Sequence, residues 1–394
     1  MINKTIKEYY LLVFLNSASM GFIASTYAMF LISNGLNLFQ VNLVNFVFFL
    51  TLFIAEIPTG AFADVFGRKK SYLMSRLIML CGFLVYYFSN NFAGFITAEF
   101  VIAVGCTFAS GAFRAWFVDK LKHHGYTESL RNIFSRSAQI SQLAVVAAGL
   151  FGAWISDISI KLPFVCSIIT FGISFVVAIF LKEDYFVPQK FSFRDGFDAM
   201  KNTVKSSINY GVKNKNVRFV LLVVMVMVFS VQPLNMYWQP FFAENLSGRT
   251  ELGFVFVGIP LSLMLGAFFV PRLLKFIPNE KLALSFSQIG IGLMVVVTSL
   301  IGFPASLVMF FAHEVFRGMF NPLKDAYLHD QIPSKERATI ESFDSMFHHF
   351  GGAVGLLVSG FLAVRLGIHW TWFSFGSFLI AFTVLVIWIS RSRK

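Results

Sequence analysis

The sequence predicts an all-α membrane protein with twelve transmembrane helices in two pseudo-symmetric six-helix bundles, and three observations carry that prediction. The first is composition. Of 394 residues, 57% are hydrophobic and only 13% charged, and the mean hydropathy is +0.71, which leaves too few polar groups to cover a soluble surface. The second is length: apolar runs of roughly 20 residues, enough to cross the hydrocarbon layer, recur along the whole chain. The third is internal repetition. One gapless shift lays Gly60, Ala61 and Phe62 on Gly266, Ala267 and Phe268, and also lays Asp119 on Asp325, Arg131 on Arg337 and Gly149 on Gly355.

Taken in order, the spans are predicted at 8–33, 37–63, 71–89, 91–119, 131–156 and 161–181. The first could be read as a signal peptide, but the run is too long and no small-residue cleavage site follows, so it is read as a retained span. After it come the other five, closing a first bundle over residues 1–181. Residues 182–216 are the one long polar stretch, in which Phe193, Phe197, Met200, Val204 and Ile208 recur at helical spacing while lysines occupy the other faces. This is predicted to be an amphipathic helix on the inner membrane surface. Two roles stay open for it, a basic linker on anionic lipid and a regulatory partner site. The second bundle, residues 217–394, holds spans at 217–243, 250–274, 280–302, 304–327, 337–363 and 369–390.

A net charge of +12 raises the question of nucleic acid, and the distribution of cations answers it. With the N-terminus cytoplasmic, Lys161, Arg249 and Arg365 fall outside, Arg114 and Arg317 fall within spans, and every other Lys or Arg lies on the inner side. That is the positive-inside pattern. It predicts an inner-membrane protein with both termini cytoplasmic and no nucleic-acid partner. Cys81, Cys106 and Cys166 all fall within helices, where a disulfide framework is implausible.

The loop between the second and third spans, GAFADVFGRKK at 60–70, places an acid and three cations at a membrane surface between two helices. Gly60, Asp64, Gly67, Arg68, Lys69 and Lys70 match the signature of that loop in the major facilitator superfamily, and the chain resembles that family on these residues. The resemblance implies a monomeric transporter of a small molecule, built from parallel halves with the substrate site between them. It also implies a latch on the cytoplasmic side, with Asp64 set against the positive end of the eleventh span, near Arg337, and with Arg68 as loop cation. Asp119 and Arg131, with their repeat partners Asp325 and Arg337, are further candidates for breakable pairs. The second half lacks the loop chemistry, since Asp64 maps to Val270 and Arg68 to Leu274. The run Glu56, Ile57, Pro58, Thr59, Gly60 resembles a form of the loop found in bacterial efflux-like members. The Gly-Pro pair that drug exporters of the family carry on the fifth span is absent, although Gly149 and Gly152 are there.

Ionisable groups inside spans are functional candidates by default, because each costs several kcal/mol unless paired or wetted. They are Glu56, Glu99, Arg114, His313, Glu314, Arg317, Asp344, His348 and His349. Counted from the ends of the tenth span, Glu314 and Arg317 fall within about one turn of the midplane, and three residues apart they share a face. Glu314 is therefore the first candidate for a proton-coupling carboxylate, ahead of Glu99, Glu56 and Asp344. A structural intrahelical pair is the competing reading. Asp344 and His348, four apart, suit a short proton relay. Glu56 is either a coupling group or part of a kink in the second span. Arg114 either snorkels inward, binds an anion, or pairs with Glu56 or Asp344. A metal site is not expected at the adjacent histidines, which point about 100° apart on a helix.

Uncharged polar groups complete a mixed aromatic and polar cavity. They are Asn16, Ser17 and Tyr27 on the first span, Asn42 and Asn45 on the second, and Gln232, Asn235, Tyr237 and Trp238 on the seventh. By resemblance, the first, fourth, seventh and tenth spans line the central cavity, so Asn16, Tyr27, Arg114, Gln232, Asn235, Trp238 and Arg317 are the expected substrate-binding residues. No Gly-rich loop ending in Lys-Ser or Lys-Thr is present, and no nucleophile, base and orienter arrangement. The sequence thus predicts no enzyme and no cofactor, and assigns the energy to a proton gradient. The expected function is proton-coupled efflux of small amphiphilic compounds. The alternatives are transport of an anionic metabolite or siderophore, and a transporter-like sensor that does not translocate.

Overall fold

A computed structural model describes residues 1–183, 185–186, 214–331 and 337–391. The amphipathic segment expected within 182–216 lies largely outside the described residues. Everything else is organised by helices: α1 (Ile2–Ala24), α2 (Tyr27–Ser33), α3 (Leu38–Phe66), α4 (Arg68–Phe88), α5 (Phe92–Ala109), α6 (Ala112–His123), α7 (Arg131–Ile158), α8 (Leu162–Ile179), α9 (Lys215–Ala243), α10 (Arg249–Phe276), α11 (Glu280–Leu300), α12 (Ala305–Gln331) and α13 (Arg337–Arg391).

Three differences from the expected spans have local causes. The first span is broken, its halves α1 and α2 meeting at 46°. Ser25 and Thr26 sit at the break, where hydroxyls compete with the helical backbone, and Ser25 Oγ donates to Gly149 O of α7 at 2.7 Å. The fourth span divides into α5 and α6 at Ser110 and Gly111. The last two spans run together as α13, bent at Gly367.

Nine helices among the described residues are long and apolar enough to cross a membrane, and the bent pair α1 and α2 makes a tenth. One of the nine, Asp344–Ile389, has 46 residues. At 1.5 Å per residue that is about 69 Å, enough for two crossings. Helix α12, whose hydropathy is lowered by His313, Glu314 and Arg317, has 27 residues, long enough for a further crossing. The helices are thus consistent with twelve spans, and the protein is a multi-pass membrane protein.

The chain clusters into two compact units. The first comprises Met1–Leu36, Val44–Met200 and Leu246–Phe256, and the second Asn37–Leu43, Lys201–Asn245 and Val257–Lys394, within the described residues. In the first, α1 packs on α7 and α8, and α4 packs on α5 and α8. The α1–α7 crossing is a backbone contact: a Cβ on Gly152 would lie 1.9 Å from Phe22 O, so only glycine fits there. At one end an aromatic cluster of Tyr9, Tyr72, Trp116 and Phe117 fills the core, with the Tyr9 and Phe117 rings stacked at 3.9 Å. In the second unit α9 packs on α13, and α11 packs on both α12 and α13.

Candidate functional site

The second unit holds a buried polar chain on α9 and α12. Glu314 on α12 is 2% exposed, and Arg317 one turn later donates from Nη1 to Glu314 Oε1 at 3.1 Å. The same Nη1 reaches Asn235 Oδ1 on α9 at 3.0 Å, and Asn235 Nδ2 donates to Gln232 Oε1 at 3.2 Å. Behind the carboxylate lies His313, fully buried, its Nε2 3.7 Å from Glu314 Oε1 and its Nδ1 2.6 Å from Phe310 O. Four of the sequence-predicted residues, Gln232, Asn235, Glu314 and Arg317, thus form one connected array across two helices. Trp238 is buried one turn further along α9. Also in this unit, Asn42 Nδ2 donates to Leu356 O and to Ser359 Oγ, each at 2.8 Å.

The first unit holds a second buried carboxyl with a different kind of support. Glu99 on α5 is 7% exposed. Its Oε2 accepts from the Tyr86 hydroxyl of α4 and, at 3.3 Å, from the Tyr27 hydroxyl of α2. The two hydroxyls are 2.8 Å apart, and Asn45 Nδ2 of α3 lies 3.5 Å from the Tyr27 oxygen. Among the described residues no Lys, Arg or His forms an ion pair with Glu99. The sequence ranks Glu314 above Glu99 by depth; the structure gives Glu314 a guanidinium and leaves Glu99 with neutral donors.

A third buried charge escaped the list of intramembrane groups. Arg76 of α4 is 1% exposed. It donates to Asn16 Oδ1 of α1 and, at 2.8 Å, to Ser75 Oγ, with its guanidinium over the rings of Tyr72 (4.7 Å) and Phe171 (5.5 Å). Asn16, an expected substrate ligand, is thereby engaged by a buried cation. By sequence position Arg76 groups with the inner-side cations; its place two turns inside α4 is the signal that sets it apart.

The other candidates separate. Arg114 is exposed on α6 with its guanidinium 4.1 Å over the Phe134 ring, the snorkelling arrangement among those considered. Glu56 is exposed and accepts from Ser110 Oγ at 3.4 Å. Asp344 is held by Lys324 Nζ at 2.5 Å, whereas His348, its expected relay partner, is exposed.

The loop residues form a different network from the expected one. Gly60 is half-buried, and Asp64 is exposed, with no hydrogen bond or ion pair to another described residue. Arg68 pairs with Asp119. The backbone N–H groups of Arg68 and Lys69, the start of α4, donate at 3.0 Å each to Glu183. Burial pushes the Glu183 carboxyl up, against the opposing pull of those two N–H groups and of the Arg68 and Lys69 charges. Gly67 makes this approach feasible: its φ is +100°, and a Cβ there would sit 2.7 Å from Glu183 Oε2. Arg131 is exposed at the start of α7, Asp325 pairs with Lys324 at 3.3 Å, and the Arg337 side chain lies outside the described residues.

One further carboxylate, absent from the sequence reading, caps a helix in the first unit. Asp157 accepts from the backbone N–H groups of Arg249 (2.7 Å) and Thr250 (3.0 Å) and from Thr250 Oγ1 (2.5 Å) at the start of α10. Slight burial pushes its pKa up, but the Thr250 hydroxyl and the two N–H groups outweigh this and hold it below the ordinary carboxylate value. A groove of about 800 Å³ opens beside Tyr10, His124, Glu128 and Arg136, and it contains none of the expected binding residues.

Residues 9–248 and 220–394 match the family model of the Major Facilitator Superfamily. The chain is 21% identical over 352 residues to the uncharacterized MFS-type transporter YxaM of Bacillus subtilis (strain 168), a match spanning 88% of this chain and 85% of that one. Its fold is similar to that of a mutant form of the nucleoside transporter NupG, with a TM-score of 0.79 and 13% identity over 97% of this chain and 99% of the other. It is also similar to a POT family transporter in complex with a thioalcohol-conjugated peptide, with a TM-score of 0.74 and 13% identity over 99% and 96% of the two chains.

Proposed function

The chain belongs to the Major Facilitator Superfamily, and from that premise we propose that it is a proton-coupled secondary transporter that exports small amphiphilic compounds by alternating access. Its setting in this reading is a bacterial inner membrane, with both termini cytoplasmic and the monomer as the working unit. The observation that carries the proposal is the connected array Gln232, Asn235, Arg317 and Glu314 across α9 and α12 of the second unit. Such an array gives an amphiphilic ligand a few oriented polar contacts among apolar walls. Gradient coupling also needs a group that can change charge within the membrane, and Glu99 and Glu314 are both buried carboxyls. Solved structures with this fold include transporters named for nucleosides and one with a bound peptide conjugate, which supports a small-molecule substrate class.

A second reading is favoured by one specific feature. The Arg317 side chain is 26% exposed while its partner Glu314 is 3% exposed, so the cation is the accessible member of the pair. That suits an anionic metabolite or siderophore.

The test is flux in proteoliposomes loaded with ethidium, an amphiphilic fluorescent cation, under an imposed pH gradient. The proposal expects gradient-driven movement that a protonophore abolishes. Binding without gradient-driven movement would identify a sensor instead, and inhibition by small organic anions in preference to cations would favour the second reading.

A further inference from the structure

We infer that Glu99 is the proton-binding carboxyl of this transporter, and that its protonation is linked to the broken first span through Tyr27. The inference rests on the reading of the chain as a proton-coupled transporter and deepens it by naming the group that changes charge. Glu99 and Glu314 are comparably buried, so desolvation penalises both charges, and what differs is the compensation. The Arg317 guanidinium stands 3.1 Å from Glu314, and neutralising the carboxylate would leave that cation without its partner. At Glu99 the partners are two phenols, which can donate to a carboxylate or exchange bonds with a carboxylic acid without leaving any charge unpaired.

Four helices and the residue before α8 surround Glu99. Helix α4 presents Tyr86, α2 presents Tyr27, and α3 presents Asn45 behind the Tyr27 hydroxyl. On its own helix the next titratable side chain is Cys106, two turns away. Helix α8 contributes Phe164, whose ring lies 5.5 Å from that of Tyr86. The lysine just before α8, Lys161, is occupied with Asn90 Oδ1 at 3.0 Å and Tyr87 O at 3.4 Å. No cation in this set stands against the carboxylate.

The second, independent observation is the break in the first span. A helix interrupted at membrane depth is retained only where the freed backbone finds partners, and such interruptions in transporters collect at ion and substrate sites. Here Ser25 anchors the break to Gly149 O of α7, and two residues later Tyr27 begins α2 and reaches Glu99. In the protonation step one proton from the aqueous phase bonds to a Glu99 carboxylate oxygen, and no other covalent bond changes. The neutral acid accepts the apolar surroundings, whereas the anion needs both tyrosine hydroxyls or water. The orientation of α2, which carries one of those hydroxyls, is therefore tied to the proton.

The test is pH-difference infrared spectroscopy of the full chain in lipid, with the proton itself as the probe. Wild-type protein should show a protonated-carboxyl stretch that disappears on raising the pH. Glu99→Gln should abolish that band, Glu314→Gln should retain it, and Tyr86→Phe and Tyr27→Phe should displace it without abolishing it. A wild-type protein with no titrating carboxyl band, a band that persists in Glu99→Gln, or a band unmoved by both tyrosine variants would overturn the assignment. The tyrosine variants keep the test decisive if Glu99→Gln fails to fold. Since no substrate is involved, failure of this assignment is distinguishable from failure of the transport reading, which the ethidium flux of wild-type protein decides.

Discussion

Glu99 in the first unit and Glu314 in the second are the same residue type at comparable burial, yet their surroundings dictate opposite behaviour. Glu314 is a buried carboxylate in an ion pair extended by Asn235 and Gln232. Glu99 sits among tyrosine hydroxyls, with no ion pair among the described residues, beside a helix break. Burial alone therefore does not identify a coupling group; the sign and proximity of the compensating charge do. A carboxylate paired with a guanidinium is suited to orienting a ligand, and one held by neutral hydroxyls is suited to exchanging a proton.

The largest expected effect comes from making the paired centre resemble the unpaired one. Arg317→Met leaves Glu314 buried without its cation and should destabilise the second unit by about 3–5 kcal/mol. Adding Glu314→Gln to that variant should recover much of the loss, which unfolding in detergent would register. If the single variant unfolds like wild type, the pair is not a compensated buried charge and the contrast with Glu99 dissolves.

Asp157 offers a third kind of compensation, by backbone N–H groups, and an intermediate effect. Asp157→Ala should cost about 1 kcal/mol, the usual size of a lost helix cap. Because the folded carboxyl titrates below its unfolded value, its contribution is fully present above the ordinary carboxylate pKa and is lost as pH falls through the depressed one. Wild type and Asp157→Ala should therefore differ in thermal midpoint at neutral pH and converge in acid. A gap that stays constant down to strong acid would exclude the carboxylate as its source.

The smallest effect on stability belongs to Glu99→Gln, at most about 1 kcal/mol, since an amide oxygen can keep accepting from the tyrosines and no partner charge is stranded. A large loss would mean that Glu99 has a hidden ionic partner.

How much of this was legible depended on how local each contact is. Glu314 with Arg317, and Gln232 with Asn235, are pairs three residues apart on one helix, and helical spacing finds such pairs. The loop glycines and cations at 60–70 likewise sit in one short stretch. Glu99 is different: its partners come from residues 27 and 86, on two other helices, and no spacing rule joins them. The break in the first span was masked by an unbroken apolar run, because Ser25 and Thr26 are mild in hydropathy yet act through their hydroxyls. Glu183 and Asp157 lie outside the predicted spans, where charge carries no functional signal by itself, although each caps the start of a helix far away in sequence. Arg76 was hidden for a related reason, its depth in α4 being a matter of where the helix begins.

The most direct test of the division of labour is ethidium flux in proteoliposomes, measured for wild type and Glu99→Gln with and without an imposed pH gradient. The account predicts that wild type accumulates the probe when the gradient is applied, whereas Glu99→Gln moves it only down its own concentration gradient, at the same rate whether or not the pH gradient is present. Undiminished gradient-driven accumulation by Glu99→Gln would contradict it and return the coupling role to Glu314.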